Sequence, residues 1–235
     1  MYEAYSYITW LFVNGVFIKM IIAIDGPAGS GKSTTAKLLA QKLGFIYLDT
    51  GAMYRAVTLY FLNNSVNLTD SSKIIKLLNS MNLTINHTNN NFTVFLDNQN
   101  INDRIRNQDI NDMVSNVSKI NDVRKEMVKI QRDFAKNKDI LVEGRDIGSH
   151  VFPNAEFKFF IEANIFVRAE RRLNEMSDNS SVSIADLVAK LEKRDMIDSN
   201  RAISPLIKAN DALVIDTTSL SIDQQVNKLY NIITK

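Results

Sequence analysis

The sequence predicts an α/β protein: a mostly parallel central sheet with helices on both faces, interrupted by a small antiparallel insertion. Three observations carry this. The apolar run Met20-Ile21-Ile22-Ala23-Ile24-Asp25 leads into a glycine-rich loop and then a helical run. Further strand-like runs at 45–48, 139–143, 157–161 and 213–216 alternate with stretches of helical periodicity. Residues 82–102 break that rhythm with Asn- and Thr-rich alternating segments. Strands that alternate with helices build parallel sheets, because each crossover needs the length of a helix.

Each element has its own warrant. The loop after the first strand reads Gly26-Pro27-Ala28-Gly29-Ser30-Gly31-Lys32-Ser33, followed by Thr34. This is the strand–GxxxxGK[ST]–helix signature of a P-loop, which makes a three-layer P-loop fold the expected architecture. Its glycines let backbone N–H groups turn inward as a nest for phosphate oxygens at a helix N-terminus. Lys32 is suited to the β- and γ-phosphates and Ser33 to Mg²⁺. The helix ends at Gly44 as a C-cap. After the strand 45–48, Thr50 is expected to cap a helix from about Ala52 to Asn63, and Asp70 another through Leu78. Leu83-Thr84-Ile85 and Phe92-Thr93-Val94-Phe95-Leu96 read as a hairpin turning at Asn89-Asn90-Asn91. Helices are expected near 108–117 and 122–135. The strand 139–143 ends in Glu143 and is followed by the loop Gly144-Arg145-Asp146-Ile147-Gly148. A charged helix from about Phe166 to Met176, a polar mobile stretch at 177–181, a helix from Ser183 toward Asp198, and a last helix from Ile222 to Ile233 complete the chain.

Bulk numbers exclude several classes. The 235 residues suffice for one large domain, and the net charge of +2 gives no case for a nucleic-acid or membrane partner. With no cysteine there is no disulfide or thiolate metal site, and a cytoplasmic location fits. His87 and His150 have no metal-ligand spacing. Residues 1–19 hold an apolar stretch from Tyr5 to Ile18 but neither a basic leader nor a span-length core. They read as a non-essential extension with Met20 as a functional start, or as a segment packing on the domain. Monomer is the default.

A P-loop implies a nucleoside triphosphate, not a reaction. An Asn-Lys-x-Asp base-reading motif is missing; the nearest string, Asn137-Lys138-Asp139-Ile140, has the wrong spacing. The candidate strand ends Glu143-Gly144 rather than Asp-Glu, unlike a motor ATPase. Arg55, Arg124, Arg145, Arg194 and Arg201 instead offer a second anion site, as transfer between two phosphates requires. An acceptor phosphate is already ionised near neutral pH, its second pKa being about 6, so no general base is needed. Arg194, Asp198 and Arg201 are spaced so that one helical face could present all three.

From about Met20 onward the chain resembles the bacterial cytidylate kinase family. The resemblance rests on Ile24-Asp25-Gly26-Pro27-Ala28-Gly29-Ser30-Gly31-Lys32-Ser33-Thr34, Leu48-Asp49-Thr50-Gly51-Ala52-Met53-Tyr54-Arg55 and Glu143-Gly144-Arg145-Asp146-Ile147-Gly148. Val151-Phe152-Pro153-Asn154-Ala155, Arg194-Asp195 and Asp198-Ser199-Asn200-Arg201-Ala202 complete the match. It implies ATP-dependent phosphorylation of CMP and dCMP with Mg²⁺, a monophosphate-binding insertion over about 65–135 and a short helical lid over about 168–201. It also implies an ATP cradle of Gly26, Pro27, Ala28, Gly29, Ser30, Gly31, Lys32, Ser33 and Thr34. Lys32, Arg145, Arg194 and Arg201 are the implied catalytic cations, and Thr50 and Arg55 the acceptor-phosphate residues. Ser115, Arg124 and Asp146 would read cytosine, Asp198 would reach the sugar, and Glu143 would hold Mg²⁺ through water beside Ser33. Asp146 could instead orient Arg145. Arg168, Arg171 and Arg172 fall near the lid without an assigned ATP contact. Ser149-His150 and Asn154 depart mildly from the family pattern. The alternatives are a UMP or shikimate type of small-molecule kinase and a non-catalytic nucleotide-binding module.

Overall fold

A computed structural model of the chain describes residues 12–13, 16–17, 19–88, 91–176 and 182–235. Two short strands, β1 (Phe12–Val13) and β2 (Val16–Phe17), pair antiparallel; the rest of the expected extension before Lys19 lies outside the described residues. The central sheet comprises β3 (Ile21–Asp25), β4 (Ile46–Asp49), β8 (Ile140–Gly144), β9 (Phe157–Glu162) and β10 (Leu213–Asp216), in the order β10-β9-β3-β8-β4, with every pair parallel. The chain starts in the middle, runs out to β4, returns to β8 and crosses β3 to reach β9. Such a reversal opens a crevice beyond the carboxyl ends of the strands. The register puts Asp25 opposite Gly144 and Asp49 opposite Glu143, so these chemically active strand ends lie side by side.

Strand periodicity of two sends alternate residues to two cores. Ile22, Ile24 and Leu141 face one cluster with Ala36, Leu39 and Ala40 of α1 (Lys32–Leu43). Leu229 of α8 (Ile222–Ile233) lies in the same cluster. Ala23 and Val142 face the other, with Met53 and Phe61 of α2 (Thr50–Asn63). Ile74 of α3 (Ser71–Ser80) joins it, as do Val114 of α4 (Gln108–Val117) and Met127 of α5 (Asn121–Ala135). The expected helices on both faces are present. α1 closes on Gly44 at φ 70°, as predicted.

One expectation needs correction. Thr50 does not cap α2. Asp49 does, accepting the Ala52 N–H at 2.8 Å from an extended backbone, and Thr50 is the first helical residue. The Thr50 hydroxyl donates instead to the Glu143 carbonyl at 2.7 Å. Both residue types cap well, so the choice falls to the tertiary partner that only Thr50 can reach.

The insertion is the antiparallel sheet β5 (Leu83–Thr88), β6 (Asn91–Leu96) and β7 (Gln99–Asn100), the last of these unpredicted. Its Val94 and Leu96 pack with Ala52, Ala56 and Leu59 of α2, which fixes the insertion to the start of the site-bearing helix. Asn89 and Asn90 of the expected turn, and the stretch 177–181, lie outside the described residues. The antiparallel pair α6 (Ile165–Asn174) and α7 (Ile184–Ser199) follows β9. Among the described residues no helix is long and apolar enough to cross a membrane.

Candidate active site

The P-loop conformation depends on glycine where the chain turns hardest. Gly26 sits at φ 152°, and a Cβ there would lie 2.0 Å from the Ile161 carbonyl oxygen. Gly31 caps α1 in the left-handed region at φ 85°. The loop is braced from outside: the Ser30 carbonyl accepts from the Thr217 hydroxyl at 3.0 Å and from Arg171 at 3.2 Å. Lys32 folds back to the Pro27 carbonyl at 3.2 Å. The Ser33 hydroxyl donates to Glu143 Oε2 at 2.8 Å, and the Tyr47 hydroxyl to Glu143 Oε1 at 2.5 Å.

The loop opens onto a cleft at the topological crevice. The cleft is lined by Lys32 and Ser33, by Thr50 and Arg55 of α2, by Ser115 of α4 and by Arg124 of α5. Glu143, Arg145 and Asp146 follow β8, and Arg194, Asp198 and Arg201 come from α7 and the turn after it. The four expected catalytic cations and every expected substrate residue therefore meet in one place. Of the expected ATP cradle only Lys32 and Ser33 line this cleft; Pro27 lines a second cavity with Arg168, Asp195 and Thr218. Asp49, Tyr54 and Ser118 also line the cleft and were not singled out from the sequence. Tyr54 is four residues after Thr50 on the same helix, a spacing that could have revealed it.

Six cations in this cleft face four carboxylates, and burial makes the excess costly. Burial, with Arg145 and Arg194 nearby, lowers the Lys32 pKa to about 7 against the pull of Glu143. Arg194 is lowered to about 9 by burial and by the charges of Arg145 and Arg55, and its buried Nε has no partner among the described residues. Burial also depresses Arg55 and Arg201. Glu143 is raised by burial and by neighbouring Asp49. A bound polyanion would relieve every one of the cationic shifts.

The remaining polar groups hold the cations in place. Asp146 takes Arg124 on Oδ2 and Arg201 on Oδ1, the latter at 3.2 Å. Arg145 is not oriented by Asp146; its Nε donates to Asp198 at 3.0 Å. Burial disfavours the Asp198 carboxylate, but Arg145, Arg194 and Arg201 together hold its pKa below the usual range. Asp25, at the end of β3, accepts the N–H groups of Ile147 and Gly148, both at 2.8 Å. It thereby fixes the loop that carries Arg145 and Asp146.

A family model described as cytidylate kinase matches residues 22–235. The chain belongs to the cytidylate kinase family. It is 45% identical over 218 residues to the cytidylate kinase of Caldicellulosiruptor bescii, spanning 92% of this chain and 96% of that one. It is 43% identical to that of Cytophaga hutchinsonii, spanning 91% and 93%. For that of Bacillus subtilis the figures are 44%, 90% and 95%. The crystal structure of an uncharacterized protein from Eubacterium ventriosum has the same fold, with a TM-score of 0.52 at 14% identity over 92% of this chain and 98% of that one.

In this member of the cytidylate kinase family the residues at Ser33 fit a divalent cation. Ser33 and Glu143 offer hard oxygens 2.8 Å apart, beside Lys32. Mg²⁺ is typically held by one or two such oxygens, waters and substrate phosphates rather than by a full protein cage. Two of the three α6 arginines are committed to backbone carbonyls. Arg168 donates to the Ala163 and Ala28 carbonyls, and Arg171 to the Ser30 and Thr217 carbonyls. Arg172 bonds Glu175 at 2.9 Å on the exposed surface, and its charge contributes to the lowered Arg194 pKa.

Proposed function

We propose that this chain transfers the γ-phosphoryl group of ATP to CMP and dCMP, giving CDP and dCDP without a general base. The observation that carries the reading is the surplus of buried and half-buried cations converging from α1, α2, the loop after β8 and α7 on one cleft beside a P-loop. The reaction joins two polyanions and spreads charge over the transferring phosphoryl oxygens. Preorganised cations stabilise that charge without reorganising during the reaction. In this reading Gly26 to Thr34 cradle the ATP phosphates, and Lys32 follows the transferring group. Thr50 and Arg55 hold the acceptor phosphate, while Arg145, Arg194 and Arg201 neutralise the phosphates between donor and acceptor. Arg172, paired with Glu175 at the exposed surface, is the α6 arginine assigned to ATP. Ser33 directly, and Glu143 through water, would hold Mg²⁺, which would supply positive charge to offset the phosphates of ATP.

Cytosine recognition falls to Ser115, Arg124 and Asp146, and the sugar to Asp198. A carboxylate has about four lone-pair sites, so Asp146 can hold two arginines and still accept from cytosine N4. Residues 65–135 serve as the monophosphate-binding part, α6 and α7 as a lid, and residues 1–19 as a dispensable extension. The enzyme works as a cytoplasmic monomer.

A coupled assay of ADP release with CMP, dCMP, UMP, AMP and shikimate tests the proposal. Turnover is expected with CMP and dCMP far above the others. Equal turnover of CMP and AMP would refute the cytosine assignment, and no turnover with any acceptor would leave a binding module.

A further inference from the structure

Ala28, inside the P-loop, is held on all three of its chemical groups by the α6–α7 pair. Its methyl is buried with Ala169 of α6 and Leu187 and Leu191 of α7. Its carbonyl accepts from Arg168 of α6 at 2.9 Å. Its N–H donates to Asp195 of α7 at 3.2 Å. Arg168 and Asp195 also bond each other at 2.5 Å, with side chains only 10% and 19% exposed. The guanidinium is further fixed by the Ala163 carbonyl at 3.2 Å. One ion pair thus closes a ring through both peptide groups of a single loop residue.

The position of this ring matters because of what lies next to it. Asp195 directly follows Arg194 and precedes Asp198 by three residues on α7. A helix rises about 1.5 Å per residue and behaves as a stiff unit over one turn. Whatever pins Asp195 to Ala28 therefore also fixes Arg194 and Asp198, and through Asp198 the guanidinium of Arg145, relative to the phosphate cradle. We infer that Arg168 and Asp195 are a positioning pair that sets the distance between the P-loop and the cations of α7. The inference rests on the cleft being the phosphoryl-transfer site. A displacement of about 1 Å between donor and acceptor groups can cost about a hundredfold in rate while leaving each half able to bind.

The test separates rate from binding. Arg168→Ala, Asp195→Ala and the double variant are compared with wild type for kcat with ATP and CMP. Calorimetry gives Kd for MgADP and for CMP separately, and amide exchange follows the P-loop peptide. Expected are a fall in kcat of at least tenfold in each single variant, Kd values within threefold of wild type, faster exchange at Ala28, and a double variant no slower than the worse single one. Asp195→Asn keeps an oxygen for the Ala28 N–H and should lose less than Asp195→Ala. Should an alanine variant fail to fold, Asp195→Asn and Arg168→Lys decide on the same split between kcat and Kd. The inference fails if kcat stays within threefold of wild type, if Kd for either nucleotide rises as much as kcat falls, or if the two losses multiply. A wild-type enzyme that does not phosphorylate CMP would instead refute the functional reading. The exchange rate at Ala28 would then still report on the pair: unchanged exchange in both single variants refutes it.

Discussion

Arg145 donates its Nε–H to Asp198 at 3.0 Å, joining the loop after β8 to the far end of α7. The two residues are 53 positions apart in sequence and largely buried, so the pair ties two distant segments together out of water. A buried charge that loses its partner keeps its desolvation cost, so breaking such a pair is more damaging than its net strength implies.

Asp198→Ala is therefore expected to lower kcat/KM for CMP by about a hundredfold, part of it through release of Arg145. In a double-mutant cycle with Arg145→Ala the two losses should fall short of additive by about 1 kcal/mol or more. Strict additivity would show that Arg145 keeps its place without Asp198.

Lys32→Met should abolish most turnover yet stabilise the nucleotide-free enzyme. The folded-state pKa, about 7, lies below the unfolded value of 10.5. The folded state therefore binds fewer protons between these values, and stability falls as pH drops from 10.5 toward 7. At pH 8 the folded-state lysine is mostly neutral, so the methionine variant avoids the cost of shedding that proton; it should melt higher there, and the gain should shrink above pH 10. Turnover within about tenfold of wild type, or a Tm below it at pH 8, would contradict the role given to this lysine.

Much of this is legible in the sequence. Gly26, Gly31 and Gly44 announced a loop, a helix start and a helix stop because each demands a conformation few other residues accept. The parallel sheet followed from alternating apolar runs. What escaped notice depended on contacts distant in sequence. Ala28 reads from the sequence only as part of the ATP cradle, because its partners Arg168 and Asp195 lie 140 and 167 positions away. Asp25 reads as the polar end of a buried strand, whereas its carboxylate organises the loop 144–148. The choice of Asp49 over Thr50 as cap turns on a carbonyl supplied by β8.

Asp25 should give stability a recognisable pH signature. Burial, opposed by the amides of Gly148 and Ile147, raises its pKa from 3.8 to about 7. Its contribution is thus complete below about pH 4 and lost as pH rises through 7, with a slope of at most about 1.4 kcal/mol per unit. The Asp25→Asn side chain does not titrate and has no such pH dependence. Unfolding free energies of the two proteins should therefore converge or cross between pH 4 and 7 and run parallel above 8. Parallel curves across the whole range would mean that Asp25 is ionised throughout.

Asp146→Asn should relax discrimination between CMP and UMP. An ionised carboxylate only accepts hydrogen bonds, which suits the cytosine N4 donor and opposes the uracil O4 acceptor. An amide presents either an oxygen or an NH₂, so the penalty for uracil shrinks. The structure adds a competing effect, because Asp146 also anchors Arg124 and Arg201. Weakening the Arg201 anchor costs CMP and UMP alike, since both carry the same phosphate and sugar. The two effects separate in the kcat/KM values for the two acceptors. Loss of the base contact narrows their ratio by about tenfold or more. Loss of Arg201 positioning lowers both values and leaves the ratio unchanged, which would reassign Asp146 from reading the base to holding a phosphate-facing cation.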